Sequence, residues 1–101
     1  MVRHVVMWNF KPEIKEEDKA ELKRNMKENL SKLQGKVEGL LSVSFIENPE
    51  AGSTHEIALV TEHESAEAVL YYGTHPEHVK VADTYVRPYT CERACLNYKI
   101  L

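Results

Sequence analysis

Cysteine is scarce in this 101-residue chain, which carries only Cys91 and Cys95. Four apart on a strand, the two lie ~13 Å from each other, far beyond disulfide reach. "TCERACLNYKIL" alternates as a strand does, so both are expected to be reduced, half-buried strand residues, as in a reducing compartment. Long apolar runs are absent too: none approaches the ~20 residues of a transmembrane helix. The opening "MVRHVVMWNF" lacks the apolar core and cleavage site of a signal peptide. A cytoplasmic protein with no membrane partner is the expectation. Charge of one sign is also missing. Thirteen Lys and Arg stand against sixteen Asp and Glu, a net charge of −3 with His neutral, and the basic residues are spread among acids. That argues against nucleic acid or an anionic membrane as the main partner. There is no Gly-rich phosphate loop, no nucleophile elbow and no His-Glu-x-x-His. No internal repeat or low-complexity segment interrupts the chain. What remains is an ordinary globular composition, 43% apolar and 29% charged, sufficient for one domain over residues 1–101.

The order of elements is readable from periodicity. "VRHVVMWNF" is rich in Val and aromatics and reads as a strand, with Val2, His4, Val6, Trp8 and Phe10 on one face and Arg3, Val5, Met7 and Asn9 on the other. In "KPEIKEEDKAELKRNMKENLSKLQG" the residues Leu22, Met26, Leu30, Leu33 and Val37 recur at helical spacing. Glu16, Glu17 and Asp18 suit the helix start, and Gly35 suits a C-cap. "GLLSVSFIEN" and "THEIALVTEH" form a hairpin across the turn-rich "NPEAGS". Ser65 caps the short helix "AEAVLYY", which Gly73 ends. Pro76 opens another helix running to about Val86, and "TCERACLNYKI" is the last strand. Strand, helix, strand, strand, broken helix, strand is the ferredoxin-like split β-α-β order of an α+β protein with a four-stranded antiparallel sheet. The helices cover one face of such a sheet. The other face carries apolar groups, either Val2/Val6/Trp8 or Val5/Met7 on the first strand and Leu41/Val43/Phe45 or Ile46 on the second. An exposed patch on the order of several hundred Å² marks an interaction site, so the expectation is a homodimer closed through the open sheet face.

The histidines carry the candidate chemistry. The residue before proline is pushed out of the helical region, so His75 is expected to be extended and His78 to fall in the first turn after Pro76. His78 shares a face with Val81, Ala82 and Tyr85 and should point inward. Burial and the helix N-terminus both disfavour imidazolium. A neutral imidazole there suits a general base and equally a structural hydrogen bond. His4 and His55 lie on strands expected to be central and adjacent. With His78 and the phenol of Tyr72 they are expected to converge under the broken helix. His63, between Glu62 and Glu64, is expected to be solvated. Tyr71, Tyr85, Tyr89 and Tyr98 read first as packing groups, with Tyr85 also a candidate for a pocket wall. His75 and His78 have a three-residue spacing, but the proline between them bends the geometry and no third ligand is set by spacing, so no metal is expected.

The segments "RHVVMWNFK", "GLLSVSFIEN", "THEIALVTEHES", "YYGTHPEHVKV" and "NYKI" resemble the stress-responsive α/β-barrel (Dabb) domain family over nearly the whole chain. The His-Pro-x-His element after a tyrosine is the most specific part. Asn97-Tyr98 departs from the Asp-Tyr of many members. The resemblance implies a dimeric ferredoxin-like α+β barrel. One plant branch of the family is a polyketide cyclase that closes a linear tetraketide thioester by aldol condensation without metal or organic cofactor. Its catalytic histidine and tyrosine match His78 and Tyr72 here, and its supporting pocket histidines match His4, His55 and His75. Met26, on the first helix, is a candidate lining residue for such a tunnel.

Three functions fit these residues, none with a cofactor. The lead is a homodimer, associated with stress response, that binds a small organic molecule in a pocket lined by His and Tyr. The second is a cyclase-like acid-base enzyme with His78 as base and Tyr72 hydrogen-bonded to a substrate carbonyl. In the third, a structural dimer without chemistry, the histidines form a buried hydrogen-bond network that holds the helix break.

Overall fold

A computed structural model describes residues 1–101. Its elements follow the expected order: β1 (Val2–Phe10), α1 (Glu16–Ser31), β2 (Leu40–Ile46), β3 (Ile57–His63), α2 (Ala66–Thr74), α3 (Pro76–Val81), a π-helical turn (Ala82–Val86) and β4 (Thr90–Lys99). The strands form one antiparallel sheet in the order β2-β3-β1-β4, the ferredoxin-like arrangement.

Strand alternation decides which face is which. On β1 the residues His4, Val6, Trp8 and Phe10 are buried beneath the helices, while Arg3, Val5, Met7 and Asn9 face the other way and are only half-buried. Val5 pairs with Val60 and Leu96, and Met7 with Ala58 and Ala94. The uncovered face is therefore built from Val5, Met7, Val60 and Leu96, with Ile46 beyond. Leu96 is 64% exposed. Of the two open-face patterns admitted by sequence, the Val5/Met7/Ile46 pattern is the one present.

The core lies between the sheet and the helices, where Met26, Leu30, Leu33 and Val37 pack on Phe45, Ile57 and Leu59. Helix α1 is shorter than its apolar spacing suggests. It ends at Ser31, and Leu33 and Val37 reach the core from successive turns, with Val37 N bonded to Leu33 O. Gly35 sits in those turns at φ +91°, a left-handed conformation that glycine adopts without strain. Gly39 has a different task. A Cβ built there would stand 2.9 Å from the Cβ of Ala68, so α2 approaches the start of β2 as closely as it does only because residue 39 has no side chain.

The second helical region is broken into three pieces. The break between α2 and α3 falls at His75–Pro76, where proline clears the preceding residue from the helical region; His75 is extended at φ −64°, ψ 131°. Gly73 lies inside the last turn of α2 rather than after it. The π turn that follows α3 is marked by Arg87 N bonding to Ala82 O at 2.8 Å, one residue wider than an α-helical bond.

Candidate functional site

Tyr72 is set by α2. Ser65 Oγ accepts from Ala68 N and begins the helix, and Val69 and Tyr72, three residues apart, form its buried side. Tyr72 is 1% exposed. His78 is set by the helix break. In an unbroken helix Glu77 N would donate to Gly73 O; here it donates to His75 Nδ1 at 3.1 Å. The freed Gly73 carbonyl accepts instead from His78 Nδ1 at 3.2 Å. A carbonyl can only accept, so His78 carries its proton on Nδ1 and keeps a lone pair on Nε2, which has no protein partner.

The sheet register sets the other two rings. His4 stands opposite Thr61 on β3 and Asn97 on β4, and His63 stands opposite Val2. His4 Nδ1 donates to Asn97 Oδ1, with the Cys95 thiol 3.6 Å away, which leaves Nε2 as the basic nitrogen of His4. His63 Nε2 is bonded to Thr61 Oγ1 at 2.8 Å, and both residues are fully buried. The rings close on Tyr72: its centroid is 4.3 Å from that of His78, 5.0 Å from that of His63 and 6.2 Å from that of His4.

Two polar atoms in this cluster are buried and have no hydrogen-bond partner: Tyr72 OH and His63 Nδ1. Such an atom costs about 1–3 kcal/mol, so a pair of them at one place calls for a reason. Tyr72 also lines a cavity of about 120 Å³ together with His4 and His78, with apolar walls from Val6, Trp8, Leu30, Leu59, Val69 and Val86; His63 is not on its wall. Gly73, Ala82, Arg87 and Arg93 complete the lining, and no Asp or Glu contributes.

The electrostatics follow from this setting. Burial pushes the Tyr72 phenol well above its ordinary range, so it stays protonated and able to donate. Burial likewise lowers His78; the Gly73 carbonyl opposes this, and the charges of Arg87, His4 and Arg93 reinforce it. His4 is lowered by burial and then by Arg93, against the opposing bond to Asn97. Asn97 is a neutral acceptor and supplies no counter-charge for an imidazolium. His63 is lowered to about 4, by burial first and then by His4 and His78. The site thus holds three neutral imidazoles at neutral pH, two with a free Nε2, around one protonated phenol.

Sequence reasoning brought Tyr72, His78 and His4 to one place, and the structure has all three on the cavity wall. His55 does not converge with them. It precedes β3, and antiparallel pairing carries that end of the strand to Trp8, the far end of β1 from His4. There its ring bonds Thr54 Oγ1 and donates to Glu92 O. The histidine beside His4 is instead His63, fully buried where a solvated residue was expected. The signal was available: in an antiparallel pair the start of one strand meets the end of the other. His75 is the N-cap of α3, its ring against Tyr71, and lies off the cavity. Met26 is fully buried in the core, and Tyr85 is half-buried against it; neither lines the cavity. Arg87 and Arg93 were not anticipated. No metal-binding group of three or more His, Cys, Asp or Glu side chains is present, and no helix is long and apolar enough to cross a membrane.

Comparison with known proteins places this geometry in context. No curated protein matches the chain. Among solved structures, a dimeric ferredoxin-like protein of unknown function from Bacteroides fragilis is 28% identical, with a TM-score of 0.88 over 98% of this chain and 95% of that one. A Dabb family protein from Mesorhizobium loti with a ferredoxin-like fold is 17% identical, with a TM-score of 0.73 over 99% of this chain and 96% of that one. A hydroxynitrile lyase from Passiflora edulis is 16% identical, with a TM-score of 0.73 over 99% of this chain and 93% of that one. The last two likenesses concern the fold. The Stress responsive A/B Barrel Domain family matches residues 2–100. With all but the terminal residues matched, the chain belongs to the stress-responsive A/B barrel (Dabb) family.

Proposed function

We propose that this protein is a homodimer that binds a small organic molecule in the cavity walled by His4, Tyr72 and His78. The observation that carries the binding is Tyr72: its hydroxyl is protonated, buried and unpartnered, and the residue lines a cavity with apolar walls. A ligand carbonyl would accept its hydrogen bond and remove the cost of the orphan donor. The dimer closes through the Val5/Met7/Val60/Leu96 face. Leu96 and Ile46 are exposed there, Arg3 and Glu62 form an ion pair at the same face, and the Bacteroides relative is dimeric. The free thiols Cys91 and Cys95 suit a reducing cytoplasm. Titration with small ketones, followed by NMR of the Tyr72 and His78 rings, tests the site. Saturable shifts that vanish in Tyr72→Phe are expected; shifts unchanged in that variant would refute it. Sedimentation equilibrium tests the dimer, and a mass of 11.6 kDa at micromolar concentration would refute that part.

A second reading, acid-base catalysis, is favoured by the state of His78. Its Nδ1–H is held by Gly73 O, its Nε2 is free, and its ring lies 4.3 Å from that of Tyr72. His78 Nε2 would take a proton from the carbon α to the bound carbonyl. The C–H electron pair becomes the enolate double bond, the carbonyl oxygen takes the negative charge, and the Tyr72 hydroxyl donates to it. The lowered pKa of His78 keeps it in the basic form at neutral pH. Hydrogen–deuterium exchange at the α carbon of a bound ketone reads this step directly. It should disappear in His78→Gln with the fold intact, and exchange at the wild-type rate in that variant would exclude the role.

A further inference from the structure

The cavity carries charge of one sign. Arg87 reaches it from the end of the π turn and Arg93 from β4, and no carboxylate lines it. Arg87 is shared with Asp83 through Nη1. Arg93 takes part in no ion pair, and its guanidinium makes no hydrogen bond to protein. The two cations therefore lack full compensation at a cavity that Tyr72 also lines, and the Tyr72 hydroxyl is a buried donor with nothing to donate to. Guanidinium groups bind carboxylates through paired, directional N–H bonds.

We propose that the ligand is a small oxo acid whose carbonyl meets the Tyr72 hydroxyl and whose carboxylate is taken by Arg93 and Arg87. This rests on the reading of the Tyr72 cavity as the ligand site and names the class of molecule that fills it. The size agrees. A cavity of roughly 150 Å³ holds benzene, so one of about 120 Å³ takes a body of about five or six carbons, with the charged group left at the rim. The walls from Val6, Leu30, Leu59 and Val69 suit the intervening carbons. Neutral His4 and His78 add no charge that would satisfy the carboxylate in place of the arginines. An amine at that end of the ligand would meet two guanidinium groups and be excluded.

Levulinate, a five-carbon oxo acid, and its uncharged amide are the probes, compared by isothermal titration calorimetry on the intact protein at low salt. Levulinate should bind on the order of five- to tenfold more tightly than levulinamide, as a charge-assisted bond at a partly solvated rim would give. Arg93→Gln should reduce that preference, Arg93→Gln combined with Arg87→Gln should abolish it, and added salt should erode the wild-type preference. Equal affinity for both probes, lost in Tyr72→Phe, overturns the oxo-acid assignment and leaves the cavity as the ligand site. Failure of both to bind at millimolar concentration overturns the two together. A preference for levulinate that is undiminished in Arg93→Gln, or that survives the double substitution, overturns the assignment of the carboxylate.

Discussion

The two ends of the β1–β3 pair are built from similar residues and finished differently. At the Phe10 end, Glu56 accepts from Phe10 N with one carboxylate oxygen and from Lys19 Nζ with the other, Glu56 N donates to Asn9 Oδ1, and both ring nitrogens of His55 are bonded. At the His4 end, the His63 Nδ1 and Tyr72 OH are left unpartnered, and Tyr72 lines a cavity. The first end holds polar groups in order to fix the chain. The second leaves an unmet hydrogen-bonding demand inside an apolar shell, which is what a binding site requires and an architectural network avoids. Histidine count alone does not separate the two, since each end has imidazoles; the accounting of their partners does.

Three measurements press on that contrast. The largest effect should come from pH. His63 is lowered from its ordinary 6.5 to about 4 in the folded protein, so the unfolded chain takes up the proton first. Its contribution is neutral above about pH 6.5, grows steadily destabilising as pH falls, and levels off below about 4. At about 1.4 kcal/mol per unit, the loss attributable to this residue is about 3 kcal/mol. Urea unfolding at a series of pH values should show this slope in the wild type and a shallower one in His63→Gln; parallel slopes would mean that His63 is not the buried neutral group described. The next effect belongs to the other end. Glu56→Ala strips an acceptor from Phe10 N and a partner from Lys19, and should cost about 2 kcal/mol with ligand binding at the cavity unchanged. A loss of binding would show that the two ends are coupled. The smallest effect is the most telling. Tyr72→Phe deletes a buried hydroxyl that makes no bond, so stability should rise by about 1 kcal/mol. A loss of stability instead would reveal a structural partner for the phenol and move the His4 end into the same class as the Phe10 end.

Much of this was legible beforehand. Period-two alternation in "VRHVVMWNF" separated the His4 face from the Val5 face, and the His-Pro pair located the helix break that frees the Gly73 carbonyl. His63 stands where His55 was expected because antiparallel pairing sets the end of β3 against the start of β1, a rule that the sequence order alone already allows. Other features are set by tertiary packing. Leu33 and Val37 continue an apolar spacing that the backbone satisfies with turns, because burial depends on where a side chain ends and not on the helix that delivers it. Arg93 reaches the cavity from a strand whose register against β1 shifts between Met7 and Asn9, with Glu92 at φ +53° close by. No residue type announces that bulge, so "TCERACLNYKI" gave no sign of which side Arg93 would face.

The π turn has a consequence for how such a chain can vary. A turn one residue wider than its neighbours is a splice in the rotational phase of a helix: all that follows is rotated by about 100° relative to an unspliced continuation, the angle one residue subtends. Arg87 is the first residue after the splice and closes it with its own amide. Homologues that lose one residue within this turn would keep His78 upstream unmoved while turning position 87 to another quarter of the helix. Length at this point, more than residue identity, would then divide chains with a doubly cationic rim from chains with a single cation, a form of specificity invisible to any comparison that scores substitutions alone.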